Sequence, residues 1–140
     1  MIIEVVSALI LDRHGKMLMT LRRTGATRPS MWENPGGKVD EGDLNRRDAL
    51  ERECHEELDV RVMAGQLVSF ARLDVEVKLA MSLYACRIIS GDPKPNVADA
   101  LDWYTPEYAI EMLPCAPATY SFYRDIIDFR NTVMKTGQAT

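Results

Sequence analysis

The first apolar run is too continuous for a strand with one wet face. Val5, Val6, Leu9, Ile10 and Leu11 fall within residues 3–12 and predict a largely buried strand. Asp12-Arg13-His14-Gly15 then breaks the run, predicting a hairpin turn in which Gly15 takes positive φ and His14 faces solvent. The return strand, 16–21, ends at Arg22-Arg23, and the Gly, Pro, Thr and Ser of 24–32 predict a loop. The repeat next changes from that of a strand to that of a helix. Leu50, Cys54 and Leu58 recur at i, i+4 and i+8, predicting a helix from about Asn45 to Leu58 with Asn45 or Asp43 near its N-cap. Strand-like text resumes over 66–75 and 77–89, a second hairpin. The alternation of Val75, Val77, Leu79, Met81, Leu83 and Ala85 there predicts one apolar face on the core. A loop follows over 90–96, then a short strand over 99–105. Thr105-Pro106 opens a short helix that ends before Pro114, and a last helix is predicted from Ala118 to Met134. Residues 135–140 are expected to fray. Strands interleaved with helices in one chain of 140 residues predict a single α/β domain.

The acidic chemistry sits on the first helix. At about 100° per residue, Glu53, Glu56 and Glu57 fall within an arc of roughly 100°, beside the apolar stripe. Like charges at i, i+3 and i+4 cost a helix a few tenths of a kcal/mol per pair, so something must offset them. Solvent is one answer, a solvated acidic face. A divalent cation is the other, since hard carboxylate oxygens suit Mg²⁺ or Mn²⁺. Just upstream, Gly36-Gly37 lets backbone approach a ligand closely.

Together these residues resemble the signature of the Nudix hydrolases, GX5EX7REUXEEXGU with U aliphatic. Arg52-Glu53-Cys54-His55-Glu56-Glu57 matches the REUXEE core, and Gly37 the opening glycine. Glu33-Asn34-Pro35-Gly36-Gly37-Lys38 is similar to the EFPGGK stretch of the MutT-like branch, and Leu21-Arg22-Arg23 to a strand ending in two arginines. Three positions depart from the pattern. Asp43 stands where the family has Glu, eight residues rather than seven separate it from Arg52, and Asp59 replaces a glycine suited to positive φ.

The resemblance implies a mixed β-sheet sandwiched between helices (α/β/α), one domain over 1–140 with the box at 37–60. It implies Mg²⁺, with Mn²⁺ as an alternative, on Glu53, Glu56, Glu57 and the Gly37 carbonyl, with Arg52 orienting an acid of the box, Glu53 being the local candidate. Asp102, directly before Trp103, matches an acid that can supplement the metal cluster in this branch. Arg22, Arg23 and Arg28 are candidate phosphate clamps, Arg23 first by the resemblance, because a guanidinium pairs two phosphate oxygens at once. Lys38 either touches phosphate or stands exposed on a strand. Trp32 either stacks on a base or seals the core.

The implied reaction is hydrolysis of a phosphoanhydride in a nucleoside diphosphate linked to another group. The expected substrate is a (deoxy)nucleoside triphosphate, cleaved to monophosphate and pyrophosphate, with oxidised purines as candidates. Against those, residues 113–118 lack the amide with which the branch reads the base. ADP-ribose, nucleotide sugars and dinucleoside polyphosphates are alternatives, although the proline of ADP-ribose hydrolases and the tyrosine of dinucleoside polyphosphate hydrolases are missing near Val75-Glu76. A nucleotide sensor without turnover would go with a broken carboxylate set, and here the set is whole. An acidic helix serving a protein partner would leave the glycine loop unexplained.

Composition narrows the partners. A net charge of −4 offers no basic excess for a nucleic-acid polymer or anionic membrane, while a small nucleotide needs only a metal and a few arginines. No apolar run approaches the ~18 residues of a membrane span. The N-terminus lacks the basic region and cleavage site of a signal peptide. Cys54, Cys86 and Cys115 are odd in number and scattered, as reduced, buried thiols of a cytoplasmic protein would be. Monomer and homodimer are not distinguished.

Overall fold

The computed structural model describes residues 1–26, 29–74 and 76–137, so Arg28, Val75 and the last three residues of the tail lie outside the described residues. The strands are β1 (Ile2–Leu9), β2 (Met17–Leu21), β3 (Trp32–Glu33), β4 (Gly36–Lys38), β5 (Arg61–Asp74), β6 (Lys78–Ser90) and β7 (Ala100–Tyr104). The helices are α1 (Arg46–Leu58), α2 (Pro106–Met112) and α3 (Pro117–Thr136). A four-stranded sheet runs β4-β1-β6-β5 and a three-stranded sheet β3-β2-β7. The larger sheet is mixed, because β1 and β6 are parallel while its other neighbours are antiparallel.

The first hairpin forms as a turn but not as a ladder. Asp12 Oδ1 accepts from the N–H groups of His14 and Lys16, and Gly15 takes φ 78°. Beyond a bridge between Leu11 and Met17 the arms separate, β1 to the larger sheet and β2 to the smaller. The turn therefore couples the two sheets. The second hairpin, β5 to β6, is a true antiparallel ladder, but β5 begins at Arg61 rather than at 66 and shifts register three times.

Side-chain alternation along β1 and the two residues after it divides the interior. Val6, Ala8 and Ile10 join Leu50, Cys54 and Leu58 of α1, while Leu9 and Leu11 join Phe122 and Ile126 of α3. The expected apolar face of β6 does pack on the core, through Met81 and Leu83, but its other face is buried as well. Tyr84 and Cys86 pack on the α1 side and Leu83 and Met81 on the α3 side, because β6 lies inside the sheet with helices over both faces. Burying side chains of this kind contributes about 1.5–3 kcal/mol each against chain entropy.

Candidate active site

α1 presents its carboxylates because its other side is fixed. Ala49, Leu50, Cys54 and Leu58 are buried, so the residues between them turn outward. The helix starts where Asn45 Oδ1 accepts from Asp48 N–H at 2.9 Å. Leu44, between Asp43 and that cap, projects into solvent at 89% exposure. At the other end Asp59 occupies the left-handed region (φ 58°, ψ 36°), the conformation a family glycine would suit, and its N–H bonds His55 O at 3.1 Å.

Arg52 is the cation among these acids. Its Nε and Nη2 donate to the two oxygens of Asp43, each at 2.9 Å. Its Nη1 reaches Glu53 Oε1 at 3.1 Å and Glu56 Oε1 at 3.0 Å, and Nη2 also donates to the carbonyl of Lys38 at 3.2 Å. The bidentate partner is thus Asp43, with Glu53 taking a single bond. Helical spacing cannot show this, since Asp43 precedes the helix. The Asp43 side chain is only 7% exposed, and hydrogen bonding to Arg52 holds its carboxyl below the usual range. Arg52 is correspondingly driven further into its charged form.

Among the described residues no cation pairs with Glu57. Burial, the charges of Glu53, Glu33 and Glu56, and a hydrogen bond to Glu53 push its carboxyl up to about 8. Glu53, 14% exposed, is also raised, chiefly by burial. Gly37 closes the site from the β4 side: a Cβ there would lie 2.4 Å from the Glu53 Cδ, so only glycine lets this carboxylate reach the strand. Gly36 has no room either, since its Cβ would fall 1.9 Å from the Val6 carbonyl oxygen. Hard oxygen donors, crowded like charge and a side-chain-free backbone beside them fit a divalent cation. Among the described residues no three His, Cys, Asp or Glu side chains already form a group that would hold a metal. Arg52 occupies oxygens of Glu53 and Glu56, which such an ion would have to share or take.

A cavity of about 200 Å³ opens beside this cluster, lined by Ser7, Arg22, Glu33, Asn34, Met81, Thr119 and Phe122 among others. Glu33 belongs to both, lining the cavity and adding its charge to Glu57. Its own carboxyl is raised by burial, although Arg22 Nη1 sits 3.2 Å away. Sequence reasoning assigned Glu33 no role; its place directly before the Asn34-Pro35-Gly36-Gly37 turn was the available signal.

The other expected residues are dispersed. Arg22 lines the cavity, paired with Glu33. Arg23 is exposed, with no side-chain ion pair among the described residues, and Lys38 is exposed and meets Arg52 through its carbonyl. Trp32 is partly buried against the α3-side core, edge-on to Tyr104 at 5.1 Å. Asp102 lies opposite Met19 on β7, accepts a bond from Trp103 N–H, and is not among the acids acting most strongly on Glu57. All three cysteines are buried free thiols. Among the described residues no helix is long and apolar enough to cross a membrane.

Comparison with known proteins bears on this geometry. The model of the NUDIX domain family matches residues 1–126. The CTP pyrophosphohydrolase of Escherichia coli (strain K12) is 36% identical over 118 residues, 83% of this chain and 84% of that protein. The solution structure of the E. coli ORF135 protein superposes with a TM-score of 0.76 at 32% identity, covering 94% of this chain and 92% of that one. A MutT protein from Methanosarcina mazei Go1 shares the fold with a TM-score of 0.77 at 21% identity, covering 94% of each chain. With the box on α1, the glycine turn of β4 and a family match over most of its length, the chain belongs to the NUDIX domain family, as a MutT-like Nudix hydrolase.

Proposed function

We propose that this hydrolase cleaves a nucleoside triphosphate to the monophosphate and pyrophosphate, using Mg²⁺ held by Glu53, Glu56, Glu57 and the Gly37 carbonyl. The observation carrying this reading is the position of Glu33, shared between the carboxylate cluster and the cavity. A base in the cavity would leave its phosphates over α1. Bound there, the metal would neutralise phosphate charge and lower the pKa of a coordinated water. The chain's residues do the rest. Arg52 orients Glu53 and Glu56, Arg22 lines the cavity beside Glu33, and exposed Arg23 is the second candidate for phosphate. A water attacks one phosphorus, the P–O–P bond breaks with pyrophosphate leaving, and a box carboxylate takes the water's proton. Cytidine triphosphate heads the test list, because the relative at 36% identity is a CTP pyrophosphohydrolase.

The test is product analysis over a panel of ordinary and oxidised nucleoside triphosphates, ADP-ribose, nucleotide sugars and dinucleoside polyphosphates, with Mg²⁺, with Mn²⁺ and with EDTA. Metal-dependent release of pyrophosphate from a triphosphate is expected, falling by several orders of magnitude in Glu57→Gln. Turnover confined to ADP-ribose or a nucleotide sugar would overturn the substrate class, and binding without turnover would overturn the enzyme reading.

A further inference from the structure

The cavity beside the carboxylates holds a buried amide with spare hydrogen-bonding capacity. Asn34 is 6% exposed and Thr119 1%, yet both line the cavity. Asn34 Nδ2 faces the sulfur of Met17 at 3.6 Å, and Asn34 Oδ1 faces the Thr119 hydroxyl at 3.5 Å. Both are long, weak contacts. A primary amide offers two N–H donors and two acceptor lone pairs, so one donor and one acceptor stay open. A buried amide left half-used is costly unless something completes it.

The two contacts also set the amide's polarity. A thioether sulfur only accepts, so the NH₂ end must face Met17, and the hydroxyl of Thr119 donates to the oxygen end. The cavity therefore offers a donor and an acceptor in a fixed order among apolar walls such as Met81 and Phe122. The pairing edge of cytosine matches one fixed order, an amino donor beside a ring-nitrogen acceptor. Uracil at the same place presents the reverse.

We infer that Asn34, held in one orientation by Thr119 and Met17, reads the amino edge of cytosine and makes this enzyme discriminate cytidine from uridine nucleotides. The inference rests on the triphosphate hydrolysis proposed above and adds the specificity-determining pair. Asn34 and Thr119 lie outside the metal-binding set, so they govern which base is accepted while the box governs whether phosphate is cleaved.

The decisive experiment compares kcat/KM for CTP and UTP, with Mg²⁺, in the wild type, Thr119→Val and Thr119→Ser. Wild type should prefer CTP by at least about tenfold, since a site built around a buried hydrogen bond rejects the mismatched edge. Valine keeps the shape but removes the hydroxyl, leaving only the long contact with the Met17 sulfur to resist a flip of the amide. The CTP/UTP ratio should then fall to within about threefold of unity, mainly by a gain toward UTP, while serine restores the preference. Thermal melts identify any misfolded variant. Should Thr119→Val misfold, Asn34→Leu replaces it, with the CTP/UTP ratio expected to fall to within about threefold of unity. ATP joins the assay because adenine carries the same donor–acceptor edge on a larger ring, and ATP turnover equal to CTP would overturn the cytosine assignment. A wild type that cleaves CTP and UTP alike, or a ratio unmoved by Thr119→Val, would overturn the inference while leaving hydrolysis standing. No cleavage of any triphosphate would instead defeat the proposed function itself.

Discussion

Arg52 divides one guanidinium between two tasks. Its Nε and one Nη hold Asp43, and its other Nη steadies Glu53 and Glu56. The fork anchored on Asp43 keeps Arg52 from settling fully onto the acids that a metal would need. Removing Asp43 releases that anchor, so the guanidinium would collapse onto Glu53 and Glu56 and compete with the cation for their oxygens. Asp43→Ala should therefore lower activity by about 10–100-fold, the usual effect of losing an outer partner of a metal ligand. It should also raise the Mg²⁺ concentration for half-maximal rate, and Asp43→Glu, which restores the carboxylate, should recover both. Activity titrated against Mg²⁺ checks this; a lower rate at an unchanged Mg²⁺ requirement would mean that Asp43 acts on folding alone.

The helix carrying these acids is held at its far end by the loop after β6. Lys94 N–H bonds Leu58 O at 2.8 Å, Asn96 N–H bonds Glu57 O at 3.1 Å, and Lys94 pairs with Asp59 at 3.7 Å. These bonds satisfy carbonyls that a helix end leaves open. Gly91 starts the loop at φ 91°, where a Cβ would meet Asp59 O at 2.8 Å. Gly91→Ala should cost about 1–3 kcal/mol in a denaturant titration. Gly25→Ala, with φ 90° but nothing within 4 Å, should cost less, and equal losses would show that steric contact with α1 adds nothing. Such tethers link residues more than 30 apart and leave no local period in the chain. The helix and its stripe were legible because Leu50, Cys54 and Leu58 declare themselves within three turns. The partition of strands was not: β1 and β2 read as one hairpin, yet their partners β6 and β7 lie some 70 or more residues away. Asp43 as the main partner of Arg52 escaped notice because it precedes the helix and so shares none of its spacing, and Glu33 beside Glu57 because it comes from β3, a separate element.

At the scale of the molecule, five acids fall into two groups with opposite pH behaviour. Asp43 and Glu107, hydrogen-bonded to Arg52 and Arg130, are lowered, so they stabilise the fold above their unfolded values near 4 and lose that contribution as pH falls through their folded values. Glu57 goes the other way. Raised from 4.5 to about 8 by burial, by Glu53, Glu33 and Glu56, and by its bond to Glu53, it favours the folded state while protonated. That contribution is complete below pH 4.5 and disappears as pH rises through about 8. Glu53 and Glu33, also raised, steepen the same slope. The metal-free protein should accordingly be most stable in mildly acid solution. Between pH 5.5 and 8.5 it should lose on the order of 1–2 kcal/mol after allowance for solvent screening, several degrees in Tm. Mg²⁺ should offset the loss at the alkaline end, where the carboxylates are ionised and bind best, and Glu57→Gln should flatten the EDTA profile, leaving only the smaller slope from Glu53 and Glu33. Melting curves with EDTA and with Mg²⁺ at the two pH values decide the matter. A metal-free Tm that rises from pH 5.5 to 8.5 would mean that the ionised box is tolerated without a cation, and the crowded carboxylates would no longer argue for one.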